Sequence, residues 1–481
     1  MSDFLNIYRQ VYKQNKYVKK LPKQTSNLFL KNRPNSIAIG GGAIGDEGKG
    51  RIVDELVANF LKKHKEVVVY RDNGGANAGH TVEVGNVRIA LHQLGSGILQ
   101  KGCHIMLGKE MVLHPEDLIT EIELVKKATN SKNLPARLSI DEMAFLCLDT
   151  HRAFDAVLKQ RADGYLGATG RGISPAYADV IFRHALRIRD LMARNWKDKL
   201  TNHFKLYQEW IKGMNFDLAK IEVPRLTGEA VKVGSLKIFL NRLEKTRNQI
   251  KPFATSVYDL IKNRWENKTP IIFEKAQALG LDKRWGVYPD VTVSNCGLDG
   301  ILSSTDGVVD PNQIAIKTAT IKTTYTSSVG SRVLPTLIKT KLAAKIREDA
   351  NEYGATTKRP RDIAYIDLPM LSFLFRVGGI EYVNMTHLDI CYQNIPIKVC
   401  IAYKQNGKEV AYRPDQSYLD TVKPEYLELP SWDGKTVSQV RCYDDLPKET
   451  KQYISFLSAC LQAKPFMLTV GPKREQTIKC Y

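Results

Sequence analysis

A strand, a glycine-rich loop and a helix follow one another near the start of the chain. The apolar run from Ser36 to Ile39 leads into Gly40-Gly41-Gly42, and residues 51–56 carry apolar side chains at helical spacing. Glycine permits turns in which several backbone N–H groups point towards a ligand at the N-terminus of the next helix. This order predicts an α/β protein whose ligands bind at the carboxyl ends of parallel strands.

Two further apolar segments end in the same way. Residues 67–70 precede the loop Asn73-Gly74-Gly75, and residues 271–273 end at Glu274. The stretch from about 190 to 268 is rich in Lys, Trp, Asn and Leu and is predicted to be helical. The pattern therefore predicts an α/β fold with a large, mostly parallel central sheet that is flanked by helices and carries helical insertions.

The composition excludes several classes of protein. Of the 481 residues, 43% are hydrophobic, and no apolar run approaches the roughly 20 residues that span a bilayer, so we expect no membrane insertion. The eight cysteines are scattered without a CxxC pair, which favours free thiols and a cytoplasmic location. The net charge of +20 fits either a nucleic-acid surface or pockets for anionic small molecules. Because no nucleic-acid-binding motif accompanies the charge, the second interpretation is favoured.

The first 35 residues differ from the rest of the chain. They carry eight lysines and arginines against one acid, Asp3. Phe4, Tyr8, Val11 and Tyr12 recur at helical spacing, so this part can form an amphipathic helix that docks on the body. A targeting peptide is the alternative, but Lys and Tyr dominate where a transit peptide is rich in Arg and Ser. We therefore predict a basic extension over 1–35 and a catalytic domain over 36–481.

The loop from Gly45 to Gly50 has the composition of a phosphate-binding loop. Its glycines allow N–H groups to face an anion, and Lys49 adds a positive charge. It is not a standard P-loop, because Ala43 occupies the place of the first glycine and Gly50 that of the Ser or Thr. Asp46 is suited to bind magnesium or to remove a proton. An ordinary tight turn is the alternative, which the acidic pair inside the loop makes less favoured.

A second loop of small residues precedes His80. Residues 73–79 are Asn, Gly and Ala, which permit a ligand to approach the backbone closely. A lone histidine is more often structural than catalytic. Here the small neighbours favour a general-acid role for His80.

These loops occur together with later motifs in one known family. GDEGKG followed by NAGHT resembles the adenylosuccinate synthetases, and the remaining motifs of that family follow in the same order. They are GATGRGISPAY (167–177), FEKAQ (273–277), YPDVT (288–292), GATTKRPR (354–361), THLD (386–389) and VGP (470–472). The resemblance covers about residues 36–481. It implies a P-loop-like GTP-binding ligase fold and a reaction that joins L-aspartate to IMP while GTP is hydrolysed to GDP and phosphate.

The resemblance implies a role for each catalytic residue. Asp46 would take the N1 proton of IMP while O6 attacks the γ-phosphate of GTP, and His80 would stabilise this transfer to 6-phosphoryl-IMP as an acid. Magnesium would be held by Asp46 and by the backbone carbonyl of Gly79. Lys49 and Gln277 complete the expected catalytic set.

Three ligand-binding sets follow from the same resemblance. The expected IMP-binding residues are Asn77, Thr169, Arg183, Gln277, Thr292 and Arg359. The expected L-aspartate-binding residues are Thr356, Thr357, Arg359 and Arg361. The expected GTP-binding residues are Gly45, Glu47, Gly48, Lys49, Gly50, Arg361, His387, Asp389, Thr469 and Gly471.

Some of these positions also have plain interpretations. Arg183 would cross a homodimer interface to the 5′-phosphate of IMP in the neighbouring subunit, but taken alone it is an ordinary surface arginine. Arg359 and Arg361 would pair with the substrate carboxylate, or they belong to a basic surface turn. Asp389 would accept hydrogen bonds from N1–H and N2–H₂ of guanine, or it caps a turn.

The sequence departs from the family pattern in places. His387 stands where the family usually has lysine, Lys275 replaces a glycine and adds charge beside the expected IMP site, and Ala76 replaces the residue before NAGHT. Residues 325–337 read YTSSVGSRVLPTL, where the family has a segment similar to YSTRVGxGPFPTE. This segment lies near the ribose of IMP in the family, so the change bears on which purine nucleotide is bound.

Two other functions compete with the ligase. Related ligases that act on dGMP to form 2-aminoadenylosuccinate typically lack the catalytic aspartate, whereas this chain keeps Asp46. A catalytically silent nucleotide-binding or nucleic-acid-binding relative would have no reason to keep Asp46, Lys49, His80, Arg359 and Asp389 together. We therefore expect IMP, L-aspartate and GTP as ligands, magnesium as the cofactor and a homodimer as the assembly.

Overall fold

The chain divides into two compact units. The computed structural model describes residues 2–21, 35–84, 87–129, 134–160, 169–328, 332–354 and 360–481. Unit 1 contains Met1–Ile52, Gln277–Val291 and Ile314–Tyr481, and unit 2 contains Val53–Ala276 and Thr292–Gln313. The division into 1–35 and 36–481 stays a prediction.

Unit 1 is built on a mostly parallel sheet. Its strands, in order across the sheet, are Ser36–Gly41, Ile316–Lys322, Tyr382–Thr386, Lys464–Thr469 and Thr477–Lys479, and only the last runs antiparallel to its neighbour. Ile37 pairs with Ile316 and Thr318 pairs with Tyr382. Ile37 and Ile39 are fully buried, as expected of a parallel strand that is covered on both faces. The strand predicted from Ser36 is therefore confirmed.

Smaller elements complete unit 1. A second sheet contains Ile366–Asp367, Ile397–Gln405, Lys408–Val410 and Lys423–Leu429. Thr326–Ser328 pairs antiparallel with Asp362–Ala364. The Lys49–Phe60 helix follows the glycine loop, and only its first turn, up to Ile52, belongs to unit 1. The other α-helices are Ser2–Tyr8, Lys341–Asp349, Leu368–Val377, Gln416–Leu419, Gly434–Ser438 and Lys448–Leu461.

The N-terminal arm packs on the Lys448–Leu461 helix. Its first helix is followed by a π-helix, Arg9–Lys13, in which Val11 is buried. The ring of Tyr12 lies edge-on to Phe456, with the ring centroids 6.0 Å apart. The Gln452 side chain donates a hydrogen bond to the Val11 carbonyl at 3.4 Å. The predicted docking of an amphipathic N-terminal helix is thus confirmed, and apolar burial accounts for it.

Unit 2 contains a parallel sheet. In order across it the strands are Ala254–Thr255, Leu138–Asp141, Cys103–Leu107, Val67–Arg71 and Ile271–Glu274. Val67, Val68, Ile271 and Ile272 are fully buried. Both apolar runs predicted as strands in this unit are confirmed, and so is the fold class as a whole.

The remaining elements of unit 2 are mostly helices. The strand pairs are His80–Val84 with Val87–Leu91, Val112–Leu113 with Phe145–Leu146, and Glu222–Pro224 with Ala230–Lys232. The α-helices are Pro115–Thr129, Asp149–Gln160, Ile173–Phe182, Ile188–Met192, Trp196–Gly213, Leu236–Ile250, Val257–Glu266 and Asp299–Ser304. The helices predicted between about 190 and 268 are present, but a short hairpin interrupts them at Glu222–Lys232. Across the described ranges, no helix combines the length and apolarity that a bilayer span requires.

Candidate active site

The glycine loop of unit 1 holds Asp46 in a rare backbone conformation. Gly45 and Gly48 have φ angles of 103° and 86°, which glycine adopts freely, and Asp46 between them has a φ of 56°. A positive φ is uncommon for a residue with a side chain and is found most often in turns and at functional sites. The loop therefore fixes the direction of the predicted catalytic side chain through its backbone.

A buried carboxylate shapes this loop from inside. Glu47 Oε1 accepts hydrogen bonds from the N–H groups of Gly45 at 2.7 Å and Ala43 at 3.3 Å. Glu47 Oε2 lies 3.0 Å from the ammonium of Lys49, and both side chains are buried. A Cβ atom on Gly41 would come within 2.6 Å of Glu47 Oε2, so only glycine leaves room there. Lys49, predicted to bind phosphate, thus also neutralises the carboxylate that orders the loop.

Arg361 connects Asp46 to a buried acid. Its Nη2 lies 2.6 Å from Asp46 Oδ2, and its Nη1 donates to Glu352 Oε2 at 2.7 Å. Glu352 also pairs with the ammonium of Lys322. Burial by itself would raise the pKa of Glu352, but the cations Lys322 and Arg361 lower that pKa to about 2. Glu352 therefore stays ionised and fixes the Arg361 guanidinium.

The same acid reaches the expected guanine-binding segment through a tyrosine. Tyr325 OH donates to Glu352 Oε1 at 2.6 Å and lies 2.9 Å from Nδ1 of His387. The sequence did not predict Lys322, Tyr325 or Glu352 as site residues. Tyr325 and Glu352 lie beside recognised motifs in the chain, but only the fold shows that they meet.

Several predicted GTP-binding residues come together at the carboxyl ends of unit 1 strands. Thr386 Oγ1 donates to the carbonyl of Glu47 at 2.9 Å, which ties the end of one strand to the glycine loop. The N–H of His387 donates to Thr469 Oγ1 at 3.3 Å. Arg51 donates to the carbonyl of Gly471, next to the end of the Lys464–Thr469 strand. This is the edge of a parallel sheet at which ligands usually bind.

Asp389 lies in the same segment, two residues after His387. It is partly buried, and this burial raises the pKa of its carboxyl group. Asp389 follows directly after the buried Leu388, whose carbonyl accepts a hydrogen bond from the Trp432 indole at 2.8 Å. The backbone that carries the expected base-binding carboxylate is thus held by a buried aromatic side chain.

In unit 2, His80 is oriented by a fully buried glutamate. His80 Nδ1 lies 2.6 Å from Glu274 Oε1, and the N–H of Ser96 donates to Glu274 Oε2 at 2.9 Å. Burial would raise the pKa of Glu274, but His80, Arg71 and Ser96 together bring that pKa down to about 2. The sequence predicts Glu274 only as the end of a strand, because His80 and Glu274 are far apart in the chain and meet only in the fold.

The second small-residue loop carries an unsatisfied acceptor. Asn77 Oδ1 is buried and has no hydrogen-bond partner within the described part of the chain. Such a group in a native protein calls for a ligand or water, which fits the expected contact of Asn77 with IMP. The neighbouring Asn73 is satisfied by Ala276 and Ser294. Gly79, an expected metal ligand through its carbonyl, is half-buried.

The expectation that Lys275 adds charge beside the site needs correction. Its side chain is fully buried, and its ammonium pairs with the equally buried carboxylate of Asp72. A Cβ atom on Gly300 would lie 3.0 Å from the Lys275 ammonium, so a small residue makes room for this pair. Lys275 therefore contributes a compensated internal ion pair.

The remaining residues predicted to bind IMP or L-aspartate are divided between the two units or lie outside the described residues. Gln277 has a φ of 58° in unit 1, whereas Thr292 is half-buried and Thr169 exposed in unit 2. Arg183 is exposed at the end of the Ile173–Phe182 helix, with a φ of 66°. Three predicted L-aspartate-binding residues lie outside the described residues, namely Thr356, Thr357 and Arg359.

The segment that departs from the family pattern is partly described. Residues 329–331 lie outside the described ranges. Arg332, which replaces a glycine, is buried, and its N–H donates to Asp290 Oδ2 at 2.7 Å. Ser328, which replaces an arginine, is also buried.

Two clusters of histidines and carboxylates are spaced like metal ligands, but their hydrogen bonds occupy the ring nitrogens. Among the described residues, the groups spaced for an ion are His151 with Asp179 and His203, and His114 with Glu116 and Asp149. His151 Nδ1 accepts the N–H of Leu148 at 2.8 Å, so the ring proton is on Nε2, which lies 2.9 Å from Asp179. His151 therefore has no lone pair left for a metal, and His114 is arranged in the same way. Asp46 fits magnesium better, since its carboxylate is a hard oxygen donor with 31% of its side chain exposed.

Comparisons with known proteins identify the family of the chain. The family model described as adenylosuccinate synthetase matches residues 38–478. The adenylosuccinate synthetase of Clostridium botulinum strain Alaska E43 is 36% identical over 445 residues, which cover 91% of this chain and 97% of the relative. That of Caldicellulosiruptor saccharolyticus is 34% identical over 447 residues and covers 92% and 98%.

Solved structures give the same result. The fully ligated adenylosuccinate synthetase from Plasmodium falciparum superposes with a TM-score of 0.82 at 28% identity, covering 92% of this chain and 99% of that one. A cyanophage S-2L succinoaminodeoxyadenylate synthetase bound to dGMP and dATP shares the fold alone, with a TM-score of 0.56 at 16% identity and coverage of 93% and 96%. The chain belongs to the adenylosuccinate synthetase family, the GTP-dependent ligases that form adenylosuccinate from IMP and L-aspartate in purine biosynthesis.

Proposed function

We propose that the chain performs this ligation with Asp46 as the general base and His80 as the acid. The observation that carries the proposal is the position of Asp46 on a glycine loop with positive φ angles, in one hydrogen-bonded network with Arg361 and the segment that carries His387. A carboxylate held in this way has a fixed direction. Such preorganisation is what proton transfer in a nucleotide site requires.

The chemistry divides into two steps. Asp46 accepts the N1 proton of IMP, O6 forms a bond to the γ-phosphorus of GTP, and the bond from that phosphorus to the β,γ-bridging oxygen breaks to release GDP. The amine of L-aspartate then attacks C6 of 6-phosphoryl-IMP, inorganic phosphate leaves with the O6 oxygen, and the amine loses a proton. His80 stabilises the charge on the phosphoryl group in the first step, and the Glu274 carboxylate stabilises its imidazolium form.

Magnesium is the proposed cofactor, and Asp46 is the proposed side-chain ligand. When bound, the ion would neutralise charge on the phosphate oxygens of GTP. Asp46 Oδ2 pairs with Arg361, which holds the carboxylate in place. The carbonyl of Gly79, the second ligand expected from the sequence, belongs to unit 2 and stays a prediction.

GTP is proposed to be selected over ATP by Asp389. Its carboxylate can accept two hydrogen bonds from guanine, whereas adenine presents an acceptor at the corresponding ring nitrogen. An unpaired buried polar group costs about 1–3 kcal/mol, so a preference of roughly 5- to 150-fold is expected. Asp389→Asn should reduce this preference.

A homodimer is the proposed assembly. Arg183 is flanked by Ile181 and Phe182, whose side chains are 78% and 63% exposed. Adjacent exposed apolar side chains around an arginine are typical of a protein interface. This supports the proposal that Arg183 reaches the IMP phosphate of the other subunit.

L-Aspartate is proposed to be bound by Arg361 together with Thr356, Thr357 and Arg359. The proposed location of the protein is the cytoplasm.

A coupled assay for GDP release tests the proposal. Release should depend on both IMP and L-aspartate, and Asp46→Asn should lower turnover by about 10²–10⁴-fold while IMP still binds, because the amide cannot accept the proton. Replacement of IMP by dGMP distinguishes the alternative ligase, and replacement of GTP by ATP tests Asp389. Activity with dGMP but not with IMP, or near-normal activity of Asp46→Asn, would contradict the proposal.

A further inference from the structure

His387 occupies the position at which the family usually has lysine. Its environment determines both its charge and the position of its ring proton. Its Nδ1 lies 2.9 Å from Tyr325 OH, with the two rings edge-on and their centroids 5.8 Å apart. The His387 side chain is only partly buried. The position of the ring proton determines which nitrogen of His387 can accept a hydrogen bond.

The hydrogen bonds from Glu352 through Tyr325 to His387 determine which ring nitrogen of His387 carries the proton. Glu352 is ionised, so it can only accept, and Tyr325 OH must point its single proton at Glu352 Oε1, 2.6 Å away. Burial raises the pKa of Tyr325, so the phenol keeps that proton. The tyrosine oxygen is then an acceptor towards His387. The proton between Tyr325 and His387 must therefore belong to Nδ1 of the imidazole.

The charges around His387 keep the ring neutral. Burial and the neighbouring cations Lys322, Arg51 and Arg361 outweigh the anion Glu352, and they lower the pKa of His387 to about 4. A neutral imidazole with its proton on Nδ1 has a bare lone pair on Nε2. Within the described residues, Nε2 of His387 has no protein hydrogen bond.

We propose that His387 is locked as the Nδ1–H tautomer by Tyr325 and Glu352 and accepts, through Nε2, a hydrogen bond from a donor group of the bound guanine nucleotide. The donor is the 2-amino group of the base or an O–H of the ribose. The inference rests on the proposed binding of GTP beside Asp389, and it makes Tyr325 and Glu352 positioning residues for nucleotide selection.

The same surroundings explain the departure from lysine. The buried ammonium of Lys322 already supplies a cation at this place, paired with Glu352. A second ammonium at position 387 would add a cation next to Lys322 and Arg361, and repulsion between like charges is unfavourable at low dielectric. A neutral acceptor avoids this repulsion. His387→Lys should therefore weaken nucleotide binding, even though it restores the residue that the family usually has.

The first test is spectroscopic and does not depend on catalysis. Histidine-selective ¹⁵N labelling, with His387→Phe to assign the signal, reports which ring nitrogen is protonated. We expect a neutral Nδ1–H ring in the full-length protein near pH 7, and a loss of this single tautomer in Tyr325→Phe. Tyr382→Phe is the control and should leave the signal unchanged, because this half-buried tyrosine lies at the start of the Tyr382–Thr386 strand, five residues before His387. An Nε2–H tautomer or an imidazolium would overturn the inference.

The second test is calorimetric binding of GDP and its analogues. His387→Phe and Tyr325→Phe should each weaken GDP binding by about 2- to 12-fold, the effect of one hydrogen bond, whereas Tyr382→Phe should not. With the analogue that lacks the donor group, His387→Phe should bind as tightly as the wild-type protein does. That analogue is IDP if the donor is the 2-amino group, and 2′-deoxy-GDP or 3′-deoxy-GDP if the donor is a ribose hydroxyl. Persistence of the full effect with all three analogues would overturn the inference.

The binding measurements distinguish failure of the His387 inference from failure of the proposed function. If wild-type protein binds GDP but shows the wrong tautomer, or if His387→Phe binds GDP as wild type does, only this inference fails. If wild-type protein does not bind GDP at all, the proposed function fails and this inference fails with it.

Discussion

The guanidinium group of Arg361 holds two carboxylates at once, with Asp46 at 2.6 Å and Glu352 at 2.7 Å. One of these is the proposed general base and the other is buried and ionised. The residue expected to bind L-aspartate therefore also positions the proposed general base. The two roles are connected through one planar side chain, which lysine cannot reproduce.

Arg361→Leu should reduce kcat/KM for L-aspartate by about 10- to 150-fold, since hydrogen bonds to charged groups are worth roughly 1.5–3 kcal/mol. Arg361→Lys should recover part of the loss, because the ammonium can pair with one carboxylate at a time. Steady-state kinetics with varied L-aspartate measure both variants. Arg376→Leu, at an exposed helix position, is the matched control. Wild-type kinetics in Arg361→Leu would show that the pair has no part in catalysis.

Glu274→Gln should lower kcat more than it raises the KM for IMP. The amide keeps the shape of the side chain but removes the negative charge that stabilises protonated His80. General-acid contributions of about 10²–10⁴-fold set the upper limit of the effect. Glu266→Gln, exposed at the end of the Val257–Glu266 helix, is the matched control. A change confined to the KM would argue that the Glu274 contact serves binding alone.

The free energy of unfolding should fall as the pH drops from about 4.5 towards 2. The pKa values of Glu274 and Glu352 are lowered to about 2 in the folded protein, from an ordinary value of 4.5. Depressed pKa values stabilise the fold above the unfolded pKa, and that stabilisation is lost on acidification. Asp367, whose pKa burial raises to about 6, acts in the opposite direction.

Thermal unfolding at several pH values measures this dependence. Glu274→Gln should show a smaller decrease in Tm between pH 6 and about pH 3 than the wild-type protein, because one of the titrating groups is gone. Glu266→Gln should keep the wild-type slope. Equal slopes for all three proteins would contradict the assignment of Glu274 as an ionised buried group.

Val11→Ala should destabilise the protein by about 2 kcal/mol, from two buried methyl groups and the cavity they leave. Val11 is 4% exposed where the N-terminal arm meets the Lys448–Leu461 helix. Chemical denaturation measures the loss, and Lys19→Ala, on an exposed part of the arm, should change little. Equal stability of the two variants would mean that the arm does not contribute to the folded state in solution.

Mixing Arg183→Ala protein with Asp46→Asn protein should restore part of the activity that each lacks. In a two-fold dimer that shares residues across its interface, one site of each hybrid receives an intact Arg183 and an intact Asp46. Random mixing makes about half of the dimers hybrid, so about a quarter of wild-type sites should be recovered. No recovery after subunit exchange has been demonstrated would place Arg183 in its own chain's site or in none.

The motifs of the sequence were sufficient for the family, the parallel strands and the glycine loop, because these depend on local patterns. Apolar runs such as Val67–Arg71 predicted strands, and GDEGKG with NAGHT predicted the nucleotide chemistry. The charge expected from Lys275 was misjudged, since its partner Asp72 belongs to a different strand end. Sequence spacing carries no information about such a partner.

The sequence by itself determined which side chains are available: the carboxylate of Asp46, the imidazoles of His80 and His387, and the guanidinium of Arg361. Only the tertiary structure decided how they are used. Glu274 orients His80, and Glu352 orders Arg361 and, through Tyr325, the proton of His387. The physical reason is that hydrogen-bond direction and protonation depend on neighbours in space, and strands far apart in the chain supply those neighbours.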